Sequence, residues 1–141
     1  MTKPIYMIVA VPGSGKTWVT NQLKDKFHLV HHDGFLGHIN QPEAYVAGIL
    51  EACEEADKPI LCEAPFSIKS IEEPLVNEGH TVEKVFIIEE PEVIRLRYFR
   101  REKRMIPKGH LTRMNTYAQR AKASGSFAGT SDEVLNYLKS Q

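Results

Sequence analysis

A glycine-rich segment between an apolar run and a helix-forming stretch limits what this chain can fold into more than any other feature. Residues 10–17 read Ala-Val-Pro-Gly-Ser-Gly-Lys-Thr and match the phosphate-binding pattern G-x-x-x-x-G-K-[ST] at three of its four specified positions. Ala10 replaces the first glycine, and a small residue suits that position because it closes the turn. Gly13 and Gly15 allow the backbone to curl so that successive N–H groups point at phosphate oxygens. The order strand, loop, helix is the context that this motif requires, so the sequence predicts a nucleoside triphosphate site.

The side chains of this loop predict how the nucleotide is held. The helix that follows the loop turns its positive N-terminal end toward the same phosphates. We expect Lys16 to reach the β- and γ-phosphates and the Thr17 hydroxyl to bind Mg²⁺. The predicted nucleotide-binding residues are Pro12, Gly13, Ser14, Gly15, Lys16, Thr17 and Trp18.

Length, charge and cysteine content narrow the class of protein. The 141 residues predict a single domain, 1–141. Lys+Arg and Asp+Glu balance at 18 each, so no net field attracts nucleic acid or a membrane surface. Cys53 and Cys62 lack metal-ligand spacing, which indicates a reducing cytosol and a cytoplasmic location. The apolar run at 5–10 is too short to span a membrane and no cleavage site follows it, so we expect no membrane contact and no obligate protein partner.

Strand-like and helix-like segments alternate along the chain. The sequence predicts strands over 5–11, 29–31, 59–63 and 82–88, a loop over 124–130, and helices over 17–26, 43–56, 67–77, 91–104, 111–122 and 134–139. Such alternation predicts βαβ units, and therefore an α/β fold with a parallel sheet covered on both faces. Binding groups then gather at the carboxyl ends of the strands.

Acidic residues follow the second and third predicted strands. Asp33 is either a base that accepts the proton of an attacking hydroxyl or a turn former ahead of Gly34. Glu63 holds Mg²⁺ through water, or polarises the attacking group, or caps the following loop. His31 and His32 point to opposite faces of a strand and have no partner at metal-ligand spacing, so we interpret both as structural.

A basic helix follows the fourth predicted strand. Arginine offers a planar fork that matches phosphate oxygens, and Arg97 and Arg101 share one helical face because they are four residues apart. We therefore interpret 91–110 as a mobile lid whose arginines neutralise the transferring phosphate. The alternative is a solvated basic face, which we expect for Arg95 and Lys103. The basic residues of this helix are Arg95, Arg97, Arg100, Arg101, Lys103 and Arg104.

Taken together, these motifs resemble those of the P-loop kinases, and among them the kinase domain of phage-type polynucleotide kinase and small nucleotide and nucleoside kinases. The resemblance is carried by 12–17, Asp33, Glu63, strand 82–86 leading into Pro91, and Arg97-x-x-x-Arg101 followed by Ile106-Pro107. It implies a P-loop NTPase three-layer αβα sandwich, with a parallel five-stranded sheet in the order 2-3-1-4-5 and a helical lid. It also implies ATP as donor, Asp33 as general base, Arg101 on the transferring phosphate, and Phe127 in a segment lying against the adenine.

The resemblance implies an ATP- and Mg²⁺-dependent phosphotransferase. The acceptor would be a hydroxyl of a polynucleotide 5′ end, a nucleotide or a nucleoside. The alternatives are a kinase of another small hydroxyl compound, such as a sugar or antibiotic, and a nucleotide-dependent ATPase switch. The segment 35–45 is expected to line the acceptor site, where Phe35, His38 and Tyr45 either stack on a base or pack.

Overall fold

The computed structural model describes residues 4–32, 41–64 and 67–141. Strands and helices alternate through most of this length, as the sequence predicts. In chain order the elements are β1 (Ile5–Val9), α1 (Lys16–Asn21), β2 (His28–Leu29), α2 (Gln41–Glu55), β3 (Ile60–Glu63), α3 (Ile68–Asn77), β4 (Val82–Ile87), α4 (Pro91–Glu102), α5 (Lys108–Ser124), β5 (Phe127–Gly129) and α6 (Ser131–Lys139). None of the helices in these described ranges is long and apolar enough to cross a membrane.

The strands form one five-stranded sheet in the order β2-β3-β1-β4-β5. The pairs β1–β3, β2–β3 and β4–β5 are parallel. The predicted fold class and strand order are therefore confirmed. Such an order requires crossover connections, and the helices between the strands supply them.

The chain divides into two compact units, and the first comprises the described residues up to Ile8 and those from Lys24 to Lys84. In this unit Ile8 of β1 lies opposite Glu63 of β3, and the Ala64 amide donates to the Ile8 carbonyl over 3.2 Å. Helix α2 packs on α3 and β3. The fully buried side chains of this first unit include Ile5, Phe27, Tyr45, Ile49, Ile71 and Leu75.

The second unit comprises Val9–Leu23 and Val85–Gln141. It contains the predicted phosphate loop and the arginine-rich helix α4. Helix α1 packs on α6, and β5 packs on α5 and α6. The buried apolar residues of this second unit include Val19, Phe86, Ile94, Tyr98, Val134 and Leu138.

The largest differences from the sequence-based expectation are at the end of α1 and at residues 127–129. Helix α1 ends at Asn21 rather than near residue 26, because Gln22 and Leu23 donate to the carbonyls three residues earlier and the chain passes into turns. Residues 127–129, predicted as part of a loop, form β5, in which Phe127 pairs with Val85 and the Ile88 amide donates to the Gly129 carbonyl over 2.7 Å. Three residues are too few to show the alternating pattern that predicts a strand. The strand forms by pairing with β4, which is distant in the sequence and gives no local signal.

Candidate functional site

The phosphate loop adopts a conformation that only glycine allows at two positions. Gly13 has φ of 88° and Gly15 has φ of 94°. A Cβ on Gly13 would lie 3.3 Å from the Ile94 carbonyl oxygen, and one on Gly15 would lie 3.0 Å from the Ser131 Cβ. Both the backbone conformation and the available space therefore exclude a side chain. The two left-handed residues give the loop the curvature that turns backbone amides inward.

Ser14 lies between these glycines and stabilises the loop from within. Its side chain is fully buried, and its hydroxyl donates a hydrogen bond to the Val11 carbonyl. The Ser14 amide donates to the same oxygen over 3.3 Å. The hydroxyl and the amide of Ser14, which the sequence predicts as a nucleotide-binding residue, therefore both bond to the Val11 carbonyl.

Helix α1 begins directly after the loop. Gly15 is the N-cap residue, no side chain caps the helix, and the first turn has no acidic residue. Lys16 is half-buried, whereas Thr17 and Trp18 are exposed. The predicted loop residues are thus together at the beginning of this helix.

The side chains fit Mg²⁺ carried by a nucleotide better than a dedicated metal cage. Over the described ranges no group of three or more His, Cys, Asp or Glu residues could hold a metal ion. Mg²⁺ is usually bound through one or two protein oxygens, with phosphates and waters completing its shell. The exposed Thr17 hydroxyl is an oxygen ligand of that kind.

Helix α4 contacts the loop through residues from two of its turns. The nearest atoms to a Cβ on Gly13 belong to Ile94 and Tyr98, and a Cβ on Gly15 would lie 3.2 Å from Arg97 Nη1. The structure thus places Arg97, one of the predicted lid arginines, directly beside the phosphate loop.

Glu89 is the site residue that sequence reasoning missed. It follows β4 and is 7% exposed. Its Oε1 accepts a hydrogen bond from the Ser131 amide over 3.2 Å, and its Oε2 lies 3.0 Å from Arg97 Nη1. The available signal was an acid directly after a buried strand, the same signal that singled out Asp33 and Glu63.

The other predicted lid arginine, Arg101, lies in a second cluster. Its guanidinium carbon is 5.7 Å from the centre of the Tyr98 ring, and its Nε donates to Glu102 Oε1 over 3.1 Å. His110 meets the same ring edge-on at 5.6 Å. Burial lowers the pKa of His110, and the positive charges of Arg113, Arg101 and Arg104 lower it further. Arg95 pairs with Glu92 on the exposed side of α4, in keeping with the solvated face expected for it.

Glu63, in the other compact unit, is a buried acid at the end of β3. It is 8% exposed, and its Oε2 accepts a hydrogen bond from the His32 amide over 2.9 Å. This contact joins Glu63 to the backbone beyond β2 rather than to the loop that follows β3. Asp33, Phe35 and His38 lie outside the described residues.

Tyr45 packs rather than presenting a stacking surface. It is fully buried, its hydroxyl donates to the Val30 carbonyl over 2.6 Å, and the same oxygen accepts from the Glu63 amide over 2.9 Å. Burial raises the pKa of the Tyr45 hydroxyl well above its ordinary value. The ring of His32 meets it edge-on at 5.7 Å, which supports the structural interpretation of this histidine.

Phe127, predicted to lie against the adenine, is half-buried in β5. Its ring stacks on that of Tyr137 of α6, with centres 4.2 Å apart and planes at 14°. One face of the Phe127 ring is therefore covered by Tyr137.

The architecture is shared with solved kinases, although no protein-family model and no curated protein matches the chain. The tunicamycin resistance protein of Deinococcus radiodurans has 17% identity and a TM-score of 0.65, over 79% of this chain and 78% of that one. A gluconokinase from Sinorhizobium meliloti has 12% identity and a TM-score of 0.64, over 96% and 89%. A shikimate kinase from Bacteroides thetaiotaomicron has 15% identity and a TM-score of 0.52, over 96% and 97%. The chain has the fold of the P-loop kinases.

Within this fold, residues 10–17 are the P-loop and α4 is the helix that lies against it. The second compact unit by itself brings together the P-loop glycines, Arg97, Glu89 and the start of α6. The sequence predicted the first two of these groups.

Proposed function

We propose that this chain is an ATP- and Mg²⁺-dependent phosphotransferase that moves the γ-phosphate to a hydroxyl group of a small molecule. One observation carries the proposal. The P-loop has both glycines left-handed, Arg97 beside Gly15, and Lys16-Thr17 at the start of α1. This combination provides backbone donors, a fixed cation and a hydroxyl for a triphosphate.

Each residue has a defined part in the proposed reaction. The acceptor oxygen attacks the γ-phosphorus, its proton passes to Asp33, and the bond to the β-phosphate oxygen breaks to release ADP. Lys16, Arg97 and Arg101 neutralise charge on the phosphates during this transfer. When bound, Mg²⁺ would be held by the Thr17 hydroxyl, with Glu63 as the second proposed ligand through water, and it would help to neutralise the charge of the phosphates.

A small polyhydroxy or alicyclic compound is the acceptor that we favour. The structures with the same fold include a gluconokinase, a sugar kinase from Janibacter and a shikimate kinase. The chain has 18 basic and 18 acidic residues, and tight binding of a long polynucleotide needs an excess of cations. A nucleoside, nucleotide or nucleic-acid 5′ end is the second candidate, favoured by the motif pattern of Asp33 and Arg97-x-x-x-Arg101.

The proposal includes the organisation and location of the protein. We infer one kinase domain, 1–141, with a lid over about 91–110, which acts in the cytoplasm where ATP is supplied. Cys62 fits a reducing compartment as a free thiol, and its burial raises its pKa so that it stays protonated.

The test is transfer of label from γ-labelled ATP with Mg²⁺. The acceptors are gluconate, shikimate, hexoses, nucleosides, nucleoside monophosphates and 5′-hydroxyl oligonucleotides. We expect label on one small hydroxyl compound, lost in Lys16→Met and kept in Lys69→Met, which changes a lysine whose side chain is 84% exposed. Asp33→Ala should bind ATP but transfer no label. Label found only as free phosphate, equally in the wild type and Asp33→Ala, would favour the ATPase switch instead.

A further inference from the structure

Glu89 is a buried acid bonded to both residues that surround Gly15. A Cβ on Gly15 would meet Ser131 Cβ at 3.0 Å and Arg97 Nη1 at 3.2 Å. The Ser131 amide donates to one carboxylate oxygen of Glu89, and Arg97 Nη1 lies 3.0 Å from the other. The two sides of the P-loop at Gly15 are therefore joined through a single side chain.

Burial makes this carboxylate costly unless it is paired. Glu89 is 7% exposed, and a buried charge is stable only with partners that compensate for lost hydration. The neighbouring acids behave differently. Glu90 is exposed as the N-cap of α4, and Glu92 is exposed and pairs with Arg95. Glu89 alone among these three faces the P-loop arginine.

One guanidinium nitrogen of Arg97, beside Gly15, lacks a hydrogen-bond acceptor within the described part of the chain. Its Nη1 is buried and has no hydrogen-bond partner among the described residues, because the contact with Glu89 has the distance of an ion pair without hydrogen-bond alignment. The side chain as a whole is 40% exposed. A buried guanidinium N–H beside a phosphate loop lacks an acceptor, and a phosphate oxygen of the nucleotide is the acceptor that its charge and planar geometry fit.

We infer that Glu89 is a positioning residue: it fixes the guanidinium of Arg97 beside Gly15 so that Arg97 can donate to a nucleotide phosphate. This inference rests on the proposed function, since it deepens the nucleotide site. Glu89 touches no reacting atom and acts through Arg97. Its own charge opposes the triphosphate, so its value to binding lies in the placement of the arginine.

Because the charge of Glu89 opposes that of the triphosphate, electrostatics alone and a positioning role predict opposite changes in ATP affinity for Glu89→Gln. Removal of a negative charge near the P-loop would, by electrostatics alone, tighten the binding of ATP. If Glu89 positions Arg97, Glu89→Gln weakens ATP binding instead, by about tenfold, the scale at which a lost contact to a charged group is felt. The glutamine keeps an oxygen that can accept from the Ser131 amide, so the anchor of α6 remains.

The experiment is a double-mutant cycle with titration of Mg²⁺·ATP by calorimetry, without an acceptor. The variants are Glu89→Gln, Arg97→Met, both together, and Glu92→Gln as the matched control, which removes the same charge three residues further along the chain. We expect Glu89→Gln to weaken binding in the wild-type background and to have no further effect in the Arg97→Met background. Glu92→Gln should leave the affinity within about twofold of the wild type, as a rim charge does.

Three results overturn the inference. One is binding that is unchanged or tighter in Glu89→Gln, and another is an equal loss in both backgrounds, which would mark a purely structural role. If Glu89→Gln does not fold, Glu89→Asp replaces it, because this variant keeps the charge on a shorter side chain. The third result that would overturn the inference is full ATP affinity in Glu89→Asp. If the wild-type protein does not bind ATP, the proposed function is wrong. If the wild type binds ATP and Glu89→Gln binds it equally well, only the positioning role of Glu89 is wrong.

Discussion

The Tyr45 hydroxyl accepts a hydrogen bond from the Glu63 backbone amide over 2.9 Å and donates one to the Val30 carbonyl over 2.6 Å. A single side chain from α2 thereby joins the backbone at the end of β3 to the chain just beyond β2. Glu63 in turn accepts from the His32 amide. The predicted acid Glu63 thus lies in backbone that these bonds hold in place.

Tyr45→Phe should lower the free energy of unfolding by about 1–3 kcal/mol, because it leaves a buried donor and a buried acceptor unpaired. The measurement is urea unfolding followed by circular dichroism. Tyr6→Phe is the matched control, since Tyr6 is also buried and its hydroxyl has no hydrogen bond with the described residues. Equal losses of stability in the two variants would mean that the Tyr45 hydrogen bonds contribute nothing specific.

Gly15→Ala should abolish ATP binding and lower stability by about 1–2 kcal/mol, the cost of a left-handed alanine. The new methyl group would also lie 3.0 Å from Ser131 Cβ and 3.2 Å from Arg97 Nη1, so these side chains would have to shift. Calorimetric titration with ATP and thermal unfolding check both parts. Gly109→Ala is the control, because Gly109 lies in α5 with nothing within 4 Å of its Cβ position, and we expect it to bind ATP normally. Normal ATP affinity in Gly15→Ala would remove the P-loop from the proposed function.

The parts of this protein that the sequence could predict are those encoded by short patterns. The P-loop, the strand order implied by the family resemblance, and the proximity of Arg97 to the loop all follow from motifs of a few residues. Glu89 escaped because its meaning depends on Ser131, 42 residues away. Tyr45 could not be decided, because an aromatic residue at the start of a helix can equally stack on a ligand or fill the core, and only its zero exposure distinguishes the two.

Arg101→Ala should reduce turnover by about a thousandfold if Arg101 acts on the transferring phosphate as proposed. Its guanidinium rests on Tyr98 and beside Glu102, so the role requires it to leave these contacts when nucleotide and acceptor bind. Initial rates with the acceptor identified by label transfer provide the measurement. Arg95→Ala is the control, because Arg95 also lies on α4 and pairs there with Glu92, and it should retain its rate. A loss below about tenfold in Arg101→Ala would return Arg101 to the solvated basic face.

His110 should make the folded protein less stable in mildly acidic solution. Burial and the charges of Arg113, Arg101 and Arg104 hold its pKa in the folded state below the ordinary value of 6.5. The unfolded chain therefore binds more protons than the folded one as the pH falls below about 6.5, and linkage requires that the free energy of unfolding decreases there. The stability is fully present above this pH and is lost as the pH falls through the folded-state pKa.

His110→Gln removes the titrating group while keeping a polar side chain of similar size. Its free energy of unfolding should fall less than that of the wild type between about pH 6.5 and pH 5, and the two proteins should differ by a constant amount above pH 7. Urea titrations at half-unit intervals of pH measure both slopes. A direct check is the imidazole proton resonance of His110. Its pKa should lie below 6.5 in the wild type and rise in Arg113→Gln, because that variant removes one of the positive charges that lower it. Parallel stability curves for the wild type and His110→Gln would show that this histidine does not set the acid sensitivity.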